Sequence, residues 1–350
     1  MANLHDERKD RGFNNIRNSA MDKREKKSTL RGYTFLGIIL LVAILVVTLL
    51  VTAIGGIIAN VAKSDDNKPS STTPTGNIKW EEITLSDADA KAGPLVLVNS
   101  THEYTFPANE AHLEEIYAAY ATHKPNYVYE LSGLSKYMEK TALEAMDAMI
   151  ADFAATSGKT NVLIKSAYRN YDEQKSFATA PGFSDHHTGY GVQLAYKVDN
   201  RNYDLSADPA YAWITENCYK YGFVVRYPEG KEDITGVSDY ESYFRYVGVA
   251  HATFMNANGL CMEEYVELLK GRTEPLKVTG ADGSKYEIYY TAVSGNTTVK
   301  VPTNYAYTVS GTNDGGVVVV VNRSKAPAPV NNTETSATNN GATTTAGNEA

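Results

Sequence analysis

Two stretches of this chain carry side chains whose types and spacing suit chemistry. One runs Pro181-Gly-Phe-Ser-Asp-His-His-Thr-Gly-Tyr-Gly-Val-Gln-Leu194, and a later one runs Tyr240-Glu-Ser-Tyr-Phe-Arg-Tyr-Val-Gly248. Adjacent histidines invite a two-ligand metal site. Consecutive residues of an extended chain point to opposite sides, however, so the expectation is one functional histidine and one surface histidine. Upstream, Arg169 lies in Ser166-Ala-Tyr-Arg-Asn-Tyr-Asp-Glu-Gln174 and offers a planar fork that matches a carboxylate. Its plainer alternative is a surface ion pair with Asp172 or Glu173. His251 falls where a helix is expected to begin and is either a structural or capping residue or a spare nitrogen ligand. His102, His112 and His123 stand outside these stretches and read as ordinary surface or core histidines.

The same segments resemble the VanY-like D-alanyl-D-alanine carboxypeptidases. That family's first motif runs Ser-x-His-x-x-Gly-x-Ala-x-Asp and its second Glu-Pro-Trp-His-x-Arg-Tyr-Val-Gly. The Ser166 to Gln174 segment is similar to the family's Ser-x-Tyr-Arg-Ser-Tyr-x-x-Gln, and residues 221 to 236 are similar to the stretch that leads into the second motif. The resemblance implies a zinc held by the His and Asp of the first motif and the His of the second, with the glutamate as base. Here His186 keeps the first ligand position, Gln193 stands at the Asp and Tyr243 at the second His. Tyr240 takes the place of the base and is expected to be inactive. The spacing from Gly236 to Arg245 needs no gap, so these are substitutions. The resemblance also implies substrate contacts for Ser166, Tyr168, Arg169, Gln174, Ser184 and Arg245.

A catalytic zinc takes three protein ligands and a water at about 2.0–2.2 Å. Gln is a poor donor beside a carboxylate, and Tyr binds well only as a phenolate, against a pKa of about 10. Asp199 lies six residues past Gln193. Along a strand that is roughly 20 Å, too far to share a metal with His186. Asp239 and Glu241 flank Tyr240, and neither takes the base position without a register slip. His251 is the candidate substitute ligand. No tightly bound cofactor is expected, and zinc returns only if the ligands are non-standard.

Elements must hold these residues in place. Val162-Leu-Ile164 reads as a buried strand ending at the Arg169 segment, and Ala142, Met146, Met149, Ile150 and Phe153 recur at helical spacing. Leu95 to Val98 is a short strand candidate. The expectation is an α+β, carboxypeptidase-like domain, a small antiparallel sheet with helices, over residues 79–275. Tyr286 to Tyr290, Thr297 to Val301 and Val317 to Val321, separated by Asp282-Gly, Ser294-Gly and Asp314-Gly, predict a small all-β module over 276–322. Residues 323–350, rich in Ala, Pro, Asn, Thr and Gly, read as a disordered tail.

Before these lies an uncharged apolar run within residues 33–62, ample for a transmembrane helix needing about 20 apolar residues and longer than a signal-peptide core. Residues 1–31 hold nine Lys or Arg against five Asp or Glu. The positive-inside rule then places segment 1–32 in the cytoplasm and the bulk outside a cell membrane, beyond a flexible linker at 63–78. Removing that +4 from the chain's −8 leaves −12, which disfavours nucleic acid as a partner. Cys218 and Cys261 are either a disulfide or two buried thiols.

Three functions remain open on sequence alone. The first is an anchored, catalytically impaired homologue that keeps a groove for peptidoglycan stem peptides. The second is an active metallo-D,D-carboxypeptidase with altered ligands. The third is a structural or interaction module at the cell surface, in which the 25 tyrosines and the β module matter more than the cleft.

Overall fold

A computed structural model describes residues 76–122, 128–238 and 240–327. The basic segment, the expected membrane span, most of the linker, His123, Asp239 and the tail beyond 327 lie outside the described residues. Among the described residues no helix is long and apolar enough to cross a membrane.

The chain begins with β1 (Trp80–Leu85), β2 (Leu113–Glu115), helix α1 (Ile116–Thr122), β3 (Tyr129–Leu131) and β4 (Tyr137–Glu139). The long helix α2 (Lys140–Ser157) follows, then β5 (Val162–Ser166), the one-turn helix α3 (Tyr171–Gln174), β6 (Gly191–Val198) and β7 (Arg201–Tyr203). Next come α4 (Ala212–Asn217), β8 (Phe223–Tyr227), α5 (Glu232–Thr235), β9 (Tyr240–Tyr246), α6 (Val249–Asn258) and α7 (Met262–Lys270). The last strands are β10 (Leu276–Thr279), β11 (Lys285–Ala292), β12 (Thr297–Pro302), β13 (Ala306–Gly311) and β14 (Gly316–Asn322).

Helix α2 starts where the Glu139 carboxylate accepts from the amides of Thr141 and Ala142, and it stops at Gly158 in the left-handed conformation. Its buried stripe is Ala142, Met146, Met149, Ile150 and Phe153. This stripe packs on Val162, Ile164, Val192, Leu194 and Phe244 of the main sheet. That sheet has six strands, in the order β3-β5-β6-β9-β8 with β7 beside β6. It is antiparallel except at one edge, where β3 and β5 run parallel, so the sheet expected from sequence is in fact mixed. The fold is a mixed α+β arrangement of small sheets and helices.

The segment from 276 onward forms a four-stranded sheet, β10-β11-β14-β13, and β12 pairs with β1 at the other end of the chain. In β14, Val318 and Val320 pack with Val266 and Leu269 of α7, Met255 of α6, and Leu95 and Leu97. On the opposite face Val317, Val319 and Val321 pack with Leu85 of β1 and Val299 and Val301 of β12. A strand buried on both faces reads as an unbroken apolar run, which accounts for the five consecutive valines. The sequence boundary between 275 and 276 therefore divides elements that share a core, and β1 belongs with the later strands. Of the two readings of the cysteines, the thiols are free and not paired: Cys218 is buried in the cluster around α2, and Cys261 is buried at the start of α7.

One charged network ties the main sheet to α7. The Asp185 carboxylate accepts from Arg245 Nη1 at 2.5 Å and from Arg226 Nε at 3.2 Å. Arg226 also donates from Nη1 and Nη2 to Glu263 at 3.0 and 2.7 Å. Both guanidinium groups are wholly buried. Arg245 Nη2 reaches the carbonyls of Pro94 and Val96, each at 3.0 Å.

Removing one member of a buried, balanced ion network leaves its partner charge unpaired, which typically costs about 3–5 kcal/mol. We expect Glu263→Ala to destabilise the fold by that order in urea unfolding. Glu130→Ala, which removes the exposed pair with Lys197 at 2.9 Å, should cost under about 1 kcal/mol.

Candidate functional site

Strand β6 organises the site. Ser166 on β5 and Tyr243 on β9 both lie opposite Gln193 of β6 in the sheet register. His186 sits just before β6 in a 3₁₀ turn, Asp185–Thr188, which Gly189 ends with φ 74°. The result is a cavity of about 560 Å³ lined by Arg169, Ser184, His186, Gln193, Tyr240 and Tyr243. The three positions matching zinc ligands and the one matching the base therefore converge. Tyr227 joins the wall, its ring stacked on Tyr243 at 5.7 Å, with Tyr240 stacked on the same ring at 6.5 Å.

His186 is fixed as a neutral imidazole. Its Nδ1 donates to the Ala167 carbonyl at 2.6 Å, leaving the lone pair on Nε2. Burial, reinforced by the nearby Arg169 charge, pushes its pKa down to about 3. The edge of the ring meets Tyr243 at 4.6 Å between centroids. His187, left as the surface histidine once His186 takes the ligand position, is fully buried. The chain there is a tight turn and not an extended strand, so His187 points inward. Its Nδ1 donates to the Arg169 carbonyl at 2.6 Å, and its Nε2 accepts from the Gly182 amide at 3.0 Å. It braces the backbone of both segments.

Arg169 is held by neutral groups. Its Nε and Nη2 donate to the Ser166 hydroxyl at 3.1 and 2.8 Å, and Nη1 donates to Gln174 Oε1 at 3.2 Å. Gln174 is itself buried and anchored to the Thr179 carbonyl at 2.9 Å. The guanidinium lies 3.7 Å over the Phe177 ring. The surface ion pair considered as an alternative does not form. Asp172 pairs with Lys175, and Glu173 caps α3 by accepting from the Asn170 amide. Ser166 and Gln174 thus orient the arginine, and Gln174, Ser184 and Arg169 line the cavity.

Three residues expected at the substrate, Ser166, Tyr168 and Arg245, do not line the cavity, Ser166 because its hydroxyl is turned to the Arg169 guanidinium. Arg245 does not line the cavity, because its charge is spent on Asp185 inside the core. The Tyr168 hydroxyl donates to Glu110 and is likewise absent from the cavity wall. His251, the candidate substitute ligand, is buried on α6 with Nδ1 against the Tyr265 hydroxyl at 2.7 Å and does not reach the cavity. Burial takes its pKa down to about 3. Asp199 occupies the turn between β6 and β7, at the far end of β6 from His186.

The donor set does not fit a zinc ion. Among the described residues no group of three His, Cys, Asp or Glu side chains is placed to hold a metal. The Tyr243 hydroxyl donates to Asp185 Oδ2 at 3.1 Å. Burial, followed by the adjacent Asp185 charge, raises its pKa well above that of an ordinary phenol, so its hydroxyl serves as a hydrogen-bond donor to Asp185. Gln193 brings no charge. Tyr240, raised to about 12 chiefly by burial, stays protonated where a base would have to be ionised. What the cavity offers is one cation, Arg169, with the Asp185 carboxylate already engaged by Arg226 and Arg245, a neutral imidazole acceptor, the amides of Gln174 and Gln193, the Ser184 hydroxyl and aromatic faces.

Asp185, Arg226 and Glu263 were not picked out from sequence. The available signal was Arg226 itself, a lone charge in the apolar strand Phe-Val-Val-Arg-Tyr, which requires a buried counter-ion. Its partner Glu263 is far away in sequence.

A solved D,D-dipeptidase, VanXYg from vancomycin resistance in complex with a D-Ala-D-Ala phosphinate analog, has the same fold, with a TM-score of 0.61 over 69% of this chain and 99% of that one at 24% identity. The VanY family profile, described as D-alanyl-D-alanine carboxypeptidase, matches residues 175–249. A D-alanyl-D-alanine carboxypeptidase of Enterococcus faecium is 33% identical over 250 residues, covering 69% of this chain and 79% of that protein. One from Enterococcus faecalis is 35% identical over 127 residues, 36% of this chain and 43% of its own length. This chain belongs to the VanY-like D-alanyl-D-alanine carboxypeptidase family.

The buried neutral histidines predict a pH dependence. The unfolded chain protonates a histidine near pH 6.5, whereas His251 holds out to about 3. Unfolding therefore takes up protons between those values, and stability falls as pH drops through that window. The slope is about 1.4 kcal/mol per pH unit for each such group. Urea unfolding of His251→Gln between about pH 7 and pH 5 should show a shallower slope by about that amount.

Proposed function

We propose that this protein is a membrane-anchored, catalytically impaired member of its family that binds the carboxylate end of peptidoglycan stem peptides outside the cell. The observation that carries this reading is Arg169. It lines the cavity, is held by Ser166 and Gln174, and among the described residues has no carboxylate within ion-pair distance. A ligand carboxylate would satisfy it with a charge-assisted fork. Hydrolysis by the family route needs a metal-activated water and an ionised base, and neither His186 with Gln193 and Tyr243 nor Tyr240 supplies them. The anchor rests on the apolar run within residues 33–62 and the basic segment before it.

Three measurements test this. Elemental analysis of the full-length protein should find well under one zinc per chain. Stoichiometric zinc, lost on His186→Ala, would restore the active-metallopeptidase reading. Calorimetric titration should show that a stem peptide ending in D-Ala binds more tightly with a free carboxylate than with an amide. Arg169→Ala should weaken the acid by roughly tenfold to a hundredfold, about 1.5–3 kcal/mol, and Arg169→Lys should also weaken it. Equal affinity for acid and amide would favour an interaction module. Protease added to intact cells should remove the region beyond Lys63, and protection of that region would reverse the topology.

A further inference from the structure

Gly191 sits inside β6, where a glycine weakens a strand and needs a reason. Its backbone is not in the left-handed region, so the reason is space. A Cβ on residue 191 would lie 2.0 Å from the Tyr243 hydroxyl oxygen, 2.7 Å from its Cζ and 3.1 Å from Asp185 Oδ2. The first two distances are shorter than real contacts allow, so the Tyr243 ring, packed against Tyr227, Tyr240 and His186, would have to leave its place and its bond to Asp185. The hydroxyl that occupies this space donates to Asp185 Oδ2, while Oδ1 takes both arginines. Two departures from the family pattern, Gly for Ala at 191 and Tyr for His at 243, thus meet at one point. A longer ring fills the room that a missing methyl leaves.

We propose that Gly191, Tyr243 and Asp185 form a matched lock that holds the floor of the cavity without a metal. The position matching a zinc ligand has become a hydrogen-bond donor to the buried carboxylate, and Gly191 is the residue that admits it. Asp185 opens the turn whose His186 carbonyl accepts from the Arg169 amide at 3.3 Å, so the lock also positions the arginine segment. The inference concerns the protein without ligand and stands apart from what the cavity binds.

Thermal unfolding of the full-length chain tests it through a double-mutant cycle. Gly191→Ala alone should lower Tm by about 5–10 °C, the scale of an overpacked core in a protein of this size. In the Tyr243→His background, where no ring atom reaches the added methyl, the same change should cost under about 2 °C. Tyr243→Phe keeps the ring and removes the donor, so it should lower Tm as well, and it should relieve Gly191→Ala only in part, because the 2.0 Å contact goes while Cζ at 2.7 Å remains. A chelator should leave the wild-type Tm unchanged. An equal cost of Gly191→Ala in both backgrounds, a Tyr243→Phe variant as stable as wild type, or a Tm that drops with chelator would each overturn the lock. If Gly191→Ala yields no folded protein, folded Gly191→Ala/Tyr243→His establishes rescue, and failure of that double variant too rejects the pairing.

Discussion

The structure depends on keeping the Asp185 carboxylate charged in the core. Burial alone would push its pKa up, but Arg245 and Arg226 on either side hold it below the ordinary carboxylate value. Two arginines against one aspartate would leave a surplus cation, and Glu263 from α7 balances it, its own pKa also depressed by Arg226. A balanced set of this kind contributes little net stability compared with an apolar core, because each ion must first be desolvated. What it does is join distant segments: the turn at 185, strands β8 and β9, the Pro94 to Val96 segment and α7.

That constraint explains why the neighbouring cavity keeps its shape while its chemistry differs from the family pattern. The backbone around His186 is fixed by the ion network and by the two bonds of His187, neither of which involves a metal. Side chains at 193 and 240 then differ from the pattern without collapse of the pocket, whereas Tyr243 is tied to Asp185. Replacing two carboxylates of the pattern by Gln193 and Tyr240 removes negative charge from the cavity, and the Asp185 charge is already neutralised behind the Tyr243 ring. Arg169 is left as the dominant field in the site, which favours anions over cations.

The later strands contribute to the same rigidity from the other side. β14 is clamped between α6 and α7 on one face and the β1 and β12 pair on the other. Helix α7 carries Glu263 near its start and Val266 and Leu269 on its buried stripe, so one helix joins the β layers to the charged network. The segment after residue 275 is therefore part of what supports the site.

Much of this was legible in the chain itself. Residues read by local rules, such as the helical spacing from Ala142 to Phe153, emerged from periodicity, and the convergence of His186, Gln193, Tyr240 and Tyr243 followed from motif order and gapless spacing. What only the tertiary structure decided involves contacts between distant segments. His187 is buried because residues 185 to 188 turn where an extended chain was expected. Arg245 serves the core because Asp185 and two carbonyls around residue 95 reach it first, and His251 serves Tyr265 because α6 faces away from the cavity. Sequence determines which chemical groups exist and the local elements that carry them. Packing decides which charges meet, because a buried ion's partner is set by three-dimensional proximity and not by spacing along the chain.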